Sequence, residues 1–123
     1  MKHHSPGFLR IVDDAKSRIQ EISAEDTLAR MRADATLVDV REESEWRDGH
    51  VQGALHLGKG VIERDVEKTI PDLSTPLLLY CGGGYRSALA ADNLQRMGYT
   101  QVFSVAGGFR ALREVGAEIV PGD

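Results

Sequence analysis

The sequence of 123 residues contains a single cysteine, Cys81, and this scarcity limits what its thiol can do. One cysteine can form neither an internal disulfide nor the paired-cysteine motif of a thioredoxin-type redox protein. Any disulfide or mixed-sulfur species must therefore form with a second molecule.

Clusters of positive charge and long apolar runs are also missing. The formal net charge is −4, and no run of lysines and arginines stands out, which argues against a nucleic-acid-binding surface. No apolar run approaches the ~18 residues of a membrane span. Residues 1–7 are not followed by the apolar segment of a secretory signal. We therefore expect a cytoplasmic protein of single-domain length that binds neither nucleic acid nor membrane.

The lone cysteine opens a glycine-rich loop between two predicted elements. The apolar residues 77–80 predict a buried strand, and residues 87–97 predict a helix that ends before Gly98. The loop between them consists of Cys81, Gly82, Gly83, Gly84, Tyr85, Arg86 and Ser87. Backbone N–H groups of such a loop, together with the helix N-terminus, favour negative charge on the sulfur. The alternative is a small buried residue, but three consecutive glycines are entropically costly in a chain that only needs to turn.

Short strands alternate with helices along the rest of the chain. Strands are predicted at residues 37–40, 54–57, 77–80 and 101–105, and helices at 8–19, 24–33, 42–47, 61–69, 87–97 and 109–115. This alternation is typical of an α/β fold in which helices cover both faces of a parallel sheet. Ligands of such sheets bind at the carboxyl ends of strands, and both Cys81 and Asp39 lie at such ends.

The N-terminal residues are expected to form an extension. We divide the chain into an extension with a surface helix, residues 1–21, and a domain, residues 22–123. A helix that mediates dimerisation or docks a partner is the alternative for residues 8–19. His3 and His4 belong to a polar terminal fragment that we expect to be disordered.

Two segments carry motifs that together resemble the rhodanese-like sulfurtransferase family. Residues 37–56 contain an Asp-x-Arg motif (Asp39 and Arg41), a Glu-aromatic pair, a Gly-His pair and a Gly-Ala pair. The second segment is the loop from Cys81 to Ser87, and a Gly-Gly pair at residues 107–108 is a weaker third marker. The resemblance covers about residues 22–116. It implies a rhodanese-like fold, with a five-stranded parallel sheet between two layers of helices.

The resemblance also implies a reaction. The Cys81 thiolate would take sulfane sulfur from thiosulfate or a persulfide donor, hold it as a persulfide, and pass it to cyanide or a thiol acceptor. A protein could serve as either donor or acceptor, and no cofactor or metal is expected. Two alternatives stay open: a cysteine phosphatase or arsenate reductase, and a non-catalytic rhodanese-like binding module. The first is disfavoured because five residues separate cysteine from arginine in those enzymes, whereas four separate them here.

The loop residues receive separate roles. The amides of residues 82–86 would surround the outer persulfide sulfur. Arg86 would bind a dianionic donor, with loop shaping as the alternative. Ser87 would cap the following helix, with a hydrogen bond to the sulfur as the alternative. Tyr85 is a candidate for the mouth of the site.

The first motif is expected to support the site from outside. Asp39 and Arg41 would act as supporting residues, with the Asp39 carboxylate held by backbone or arginine hydrogen bonds rather than used for acid–base chemistry. Trp46 is expected in the core. His50 and His56 are expected to form structural hydrogen bonds, since no third residue completes a metal-ligand spacing.

Overall fold

A parallel sheet lies at the centre of the computed structural model, which describes residues 4–122. Its strands are β1 (Gln20–Ile22), β2 (Thr36–Asp39), β4 (Leu55–His56), β5 (Leu77–Tyr80) and β6 (Val102–Val105). They are arranged in the order β1-β6-β5-β2-β4. Two further strands, β3 (His50–Val51) and β7 (Ile119–Val120), form a separate antiparallel pair.

Helices cover both faces of the sheet. They are α1 (Pro6–Lys16), α2 (Ala24–Arg32), α3 (Glu43–Asp48), α4 (Ile62–Thr69), α5 (Arg86–Arg96) and α6 (Gly108–Glu114). Helix α5 contacts α1 and α4 on one face, and α2 contacts α6 on the other. The predicted fold class, an α/β fold with five parallel strands, is confirmed. No helix within residues 4–122 combines the length and apolar character needed to cross a bilayer.

Strand β5 determines which way the cysteine points. It lies between β2 and β6, and all four of its residues are buried. Because side chains alternate along a strand, Leu77, Leu79 and Cys81 join the apolar cluster that includes residues of α4 and α5. Leu78 and Tyr80 join the cluster on the opposite face. The thiol therefore emerges on the α5 side, directly beside the start of that helix.

The structure corrects two expectations about secondary structure. The helix predicted to reach Ile19 ends at Lys16, and Gln20–Ile22 forms β1, a strand the sequence pattern did not predict. Only one of the three β1 residues is buried, so no clear alternation marks it. The two-residue strands β3 and β7 are also absent from the predicted elements.

Helix α1 is fixed to the rest of the fold. Val12 and Ala15 on its inner face are buried, and the helix packs on α5. Just after the helix, the Arg18 guanidinium donates two hydrogen bonds to the carboxylate of Asp92 on α5, at 3.0 and 2.7 Å. The proposed division at residue 22 falls inside β1, which pairs with β6.

The expectation of a disordered terminal fragment was wrong for His4. Its imidazole packs on the ring of Tyr85, with ring centroids 4.4 Å apart. His3 lies outside the described residues.

Candidate active site

The Cys81 sulfur accepts hydrogen bonds from two backbone amides of its own loop. Its Sγ accepts hydrogen bonds from the amide N–H of Gly84 (N···S 3.1 Å) and of Ser87 (3.4 Å). The side chain is fully buried. Amide dipoles directed at a sulfur atom stabilise negative charge there without a neighbouring cationic side chain.

Other amides of the loop are free to bind a further atom. Within residues 4–122, the N–H groups of Gly82, Gly83 and Tyr85 have no hydrogen-bond acceptor. Gly84 has a φ of +100°, which favours glycine, and a side chain there would press on the backbone of residues 105–107. The loop can therefore turn tightly while these three amides stay unused.

Ser87 has a different role from the capping role predicted for it. Helix α5 begins one residue earlier than expected, at Arg86, so Ser87 lies within the first turn rather than at the cap. Its buried hydroxyl is hydrogen-bonded to the hydroxyl of Ser104 on β6, at 2.8 Å. It also lies 3.5 Å from the Cys81 sulfur, as the alternative hypothesis expected.

The start of helix α6 supports the loop from below. The amide of Phe109 donates to the Cys81 carbonyl at 2.7 Å. Gly108 has a φ of +54°, and a Cβ atom there would clash with the Cys81 carbonyl oxygen. The peptide that follows the cysteine therefore lies directly on the backbone of Gly108, a close approach that only glycine permits.

Asp39 and Arg41 form a buried ion pair next to this support. The Asp39 carboxylate accepts hydrogen bonds from the Arg41 amide at 2.8 Å and from its Nη2 at 2.9 Å. Arg41 Nη2 also donates to the Gly49 carbonyl at 2.7 Å. The guanidinium lies over the Phe109 ring, 4.2 Å from its centroid. The pair thus connects the end of β2 to the end of α3 and to α6, and Asp39 is held by arginine and backbone as expected.

Arg86 binds Glu45 rather than facing the cavity as a free cation. Its Nη1 and Nη2 donate to the two carboxylate oxygens at 2.7 and 3.1 Å. Hydrogen bonding from Arg86 lowers the pKa of Glu45 to about 2, although burial opposes this shift. Glu45 also accepts from the Glu42 amide in the capping box of α3. The pair therefore fixes the start of α5 to α3 and places a carboxylate directly against the positive charge of Arg86.

A cavity of about 880 Å³ opens above the loop, and Cys81 borders it. Its other lining residues come from the loop, from α6 and the glycine before it, from α3 and from the N-terminal segment: Gly82, Gly83, Tyr85, Arg86, Gly107, Arg110, Ala111, Glu114, Glu45, His4 and Phe8. Tyr85 thus lies at the mouth of the site, the position for which it was a candidate.

Comparison with known proteins places this arrangement in a family. The family profile of the rhodanese-like domain matches residues 23–114. The chain belongs to the rhodanese-like domain family.

Two relatives illustrate the range of similarity to this rhodanese-like domain. The thiosulfate sulfurtransferase GlpE of Pseudomonas entomophila is 34% identical over 97 residues, which cover 79% of this chain and 87% of the relative. The structure of an E. coli rhodanese with anions has a TM-score of 0.62 and 31% identity, and the match covers 72% of this chain and 99% of that one.

A third similar protein matches over nearly its full length. The structure of a Rhodopseudomonas palustris protein of unknown function, described as a possible tyrosine phosphatase, has a TM-score of 0.80 and 29% identity. The match covers 98% of both chains, so it includes the N-terminal helix.

The aromatic and imidazole residues of the first motif form a stack beside the rhodanese-like site. Trp46, expected in the core, is instead half-buried between His50 and His56, with ring centroids 3.4 and 4.8 Å away. His50 is hydrogen-bonded to the Trp46 carbonyl at 3.1 Å and His56 to the Arg41 carbonyl at 2.8 Å, which confirms structural roles for both. In the part of the chain that the structure describes, no group of three His, Cys, Asp or Glu residues could hold a metal ion.

Sequence reasoning missed several residues of the site. Glu45 was noted only as part of a motif, although an acidic residue near a loop arginine is a candidate partner for it. Ser104 is a buried hydroxyl inside the apolar strand β6, and that contrast was a usable signal. Phe8 and Arg110 carried no signal, because only the tertiary fold brings them to the cavity.

The contact between Gly108 and Cys81 predicts a large effect of one added methyl group. Gly108→Ala should lower the free energy of unfolding by at least about 3 kcal/mol, because it combines a left-handed backbone with a clash against the Cys81 carbonyl. Gly116→Ala is the matched control, since Gly116 also has a positive φ, +92°, but open space around it. The control should cost only about 1 kcal/mol in urea unfolding. Equal losses in the two variants would contradict the close contact.

The lowered pKa of Glu45 predicts a pH-dependent contribution to stability. A carboxyl group with a folded-state pKa of about 2 stabilises the fold above its normal pKa of 4.5, and this contribution disappears as the pH falls toward 2. The difference in urea midpoint between the wild type and Glu45→Gln should therefore be largest at neutral pH and shrink between pH 5 and pH 3. Glu43→Gln, which disrupts an exposed pair with Arg47 on the same helix, should have the smaller effect at pH 7. A Glu45→Gln difference that stays constant with pH would refute the ion pair.

Proposed function

We propose that this protein is a sulfurtransferase that carries sulfane sulfur as a persulfide on Cys81. The observation that carries the proposal is the loop itself: two amides already donate to Sγ, and three more have no acceptor. An outer sulfur bonded to Sγ carries the negative charge of a persulfide, and unused N–H donors beside it would stabilise that charge. The name of the GlpE relative, a thiosulfate sulfurtransferase, supports the same chemistry.

The reaction proceeds in two steps, uptake of sulfur from the donor and its transfer to the acceptor. The Cys81 thiolate attacks the outer sulfur of thiosulfate, a new bond forms to Sγ, and the S–S bond of thiosulfate breaks with its electron pair leaving on sulfite. The protein then holds Cys81–S–S⁻. Cyanide or a thiolate attacks the outer sulfur, the persulfide bond breaks, and its electron pair returns to Cys81 as a thiolate. The products are thiocyanate or an organic persulfide.

The neighbouring residues position this chemistry rather than carry it out. Ser87 holds its hydroxyl between Sγ and Ser104, where it can donate to the sulfur anion. The bidentate contact with Glu45 supports the loop-shaping role of Arg86 more than direct binding of a dianion. Asp39 and Arg41 keep α6 under the loop through the contact of Arg41 with Phe109.

The donor and acceptor classes follow from the same chemistry. A small-molecule donor such as thiosulfate or a persulfide supplies the sulfur, and a thiol or cyanide removes it; a protein could take either part. Because Cys81 is the only cysteine in the sequence, no second thiol of this chain can resolve the persulfide. The sulfur must therefore be passed to another molecule. We expect this transfer to take place in the cytoplasm.

Phosphatase activity is the second candidate, because the Rhodopseudomonas palustris protein is described as a possible tyrosine phosphatase. Four residues separate Cys81 from Arg86, and Arg86 is already paired with Glu45. A short loop with a paired arginine suits a single sulfur atom better than a tetrahedral phosphate dianion. A non-catalytic binding module would need neither the cysteine nor the free amides.

Intact-protein mass spectrometry tests the proposal. Incubation with thiosulfate should add one sulfur atom, ~32 Da, and cyanide should remove it with release of thiocyanate. Cys81→Ser should gain no mass, and its circular dichroism spectrum should match that of the wild type. A wild type that never gains this mass, but hydrolyses p-nitrophenyl phosphate, would replace the proposal with the phosphatase alternative.

A further inference from the structure

The N-terminal segment contributes an aromatic surface to the mouth of the Cys81 cavity. His4, Phe8 and Tyr85, which we call the aromatic wall, pack on one another, with ring centroids 4.4 Å apart for His4 and Tyr85, 5.4 Å for His4 and Phe8, and 6.3 Å for Phe8 and Tyr85. All three are half-buried and border the cavity. Two of these rings come from the N-terminal segment and one from the cysteine loop.

The aromatic wall is held firmly in place. The helix that carries Phe8 is fixed by buried Val12 and Ala15 and by the Arg18–Asp92 ion pair. Lys16 adds a cation–π contact to Tyr85, with its Nζ 5.1 Å from the ring centroid. A contact surface on a fixed helix loses little conformational entropy when a ligand binds.

The cavity is much larger than thiosulfate or cyanide, each of which has only a few atoms. Its volume of about 880 Å³ lies within the usual range for sites that bind organic molecules, ~300–1,000 Å³. A small anion at the sulfur would leave the aromatic wall uncovered. The size of the cavity therefore points to a substrate with a carbon body.

The charges around the cavity also argue against a site built only for a dianion. Arg86 is paired with Glu45, and Arg110 on α6 is accompanied by Glu114 one turn further along. The positive and negative side chains that border the cavity thus balance. A substrate of low net charge, with an apolar body against the aromatic wall, matches this lining better than a small dianion does.

We propose that the aromatic wall binds the apolar carbon body of an organic thiol acceptor while its sulfur reaches the persulfide on Cys81. The inference rests on the proposed sulfurtransferase function and makes the N-terminal helix a specificity element of the second step. The thiolate of the acceptor attacks the outer sulfur, a bond forms between the two sulfurs, and the electron pair of the broken bond returns to Cys81. An organic persulfide leaves.

The N-terminal helix lies outside the family match, although the Rhodopseudomonas palustris structure matches it as well. The family match begins at residue 23, after α1 has ended. The E. coli rhodanese is covered almost completely, 99%, by only 72% of this chain. Two of the three rings of the aromatic wall, His4 and Phe8, thus lie outside the matched domain, which is where differences in acceptor preference are expected.

Two thiols that differ in their carbon body provide the test. The protein is first loaded with sulfur from thiosulfate, and loading is measured by mass. The value of kcat/KM is then measured for 2-phenylethanethiol and for 2-mercaptoethanol, which are both primary alkanethiols. We define the ratio as kcat/KM for 2-phenylethanethiol divided by kcat/KM for 2-mercaptoethanol. In Phe8→Ala this ratio should fall about 3- to 10-fold, because one aromatic contact is lost.

Two further variants separate binding from folding. Phe8→Tyr keeps the ring and should retain most of the wild-type ratio. Ile11→Ala alters an exposed residue of the same helix, outside the cavity lining, and should not change the ratio. An unchanged ratio in Phe8→Ala, or an equal fall in Ile11→Ala, would overturn the inference while leaving the sulfurtransferase proposal intact. A wild type that loads no sulfur would overturn both.

Discussion

The contact between Gly108 and the peptide after Cys81 is the constraint on which the site depends. The Gly108 backbone lies so close to the Cys81 carbonyl that no Cβ atom fits between them, and the neighbouring Phe109 amide donates to that same carbonyl. The Cys81 carbonyl is thus held by the start of α6. The loop that follows turns back, and its amides at Gly84 and Ser87 donate to the sulfur. The ion pair of Asp39 and Arg41 secures this support from the side, since Arg41 lies against Phe109. Motifs far apart in sequence thus act on one peptide group.

Backbone amides make direct hydrogen bonds to the thiol, from Gly84 and Ser87. Arg86 is the cation nearest to Cys81 in the sequence, yet both of its terminal nitrogens, Nη1 and Nη2, donate to Glu45, which is also part of the capping box of α3. Fixed amides in a buried site need no reorganisation when charge develops, and they act without a long, flexible side chain. This arrangement suits the proposed reaction, in which Sγ acts first as the nucleophile and then as the leaving group.

Sequence patterns predicted those parts of the structure that are marked by residues close together in the sequence. The strands β2, β4, β5 and β6 and the cysteine loop follow from apolar runs and glycines. Sequence patterns did not predict the strand at Gln20–Ile22, because it depends on pairing with β6. They also did not predict the ion pair of Arg86 with Glu45, whose two residues are distant in the sequence. The capping role predicted for Ser87 was wrong because α5 begins one residue earlier than expected, at Arg86. Sequence signals are weakest at the ends of helices. The contact of His4 with Tyr85 is likewise purely tertiary.

The central claim is that the free amides of the loop receive an outer sulfur bonded to Cys81. A crystal structure of the protein after treatment with thiosulfate and removal of the excess reagent tests it most directly. We expect an additional sulfur atom covalently bonded to Sγ, within hydrogen-bonding distance of at least two of the amides of Gly82, Gly83 and Tyr85. An unmodified Sγ, or an outer sulfur turned away from these amides, would contradict the account.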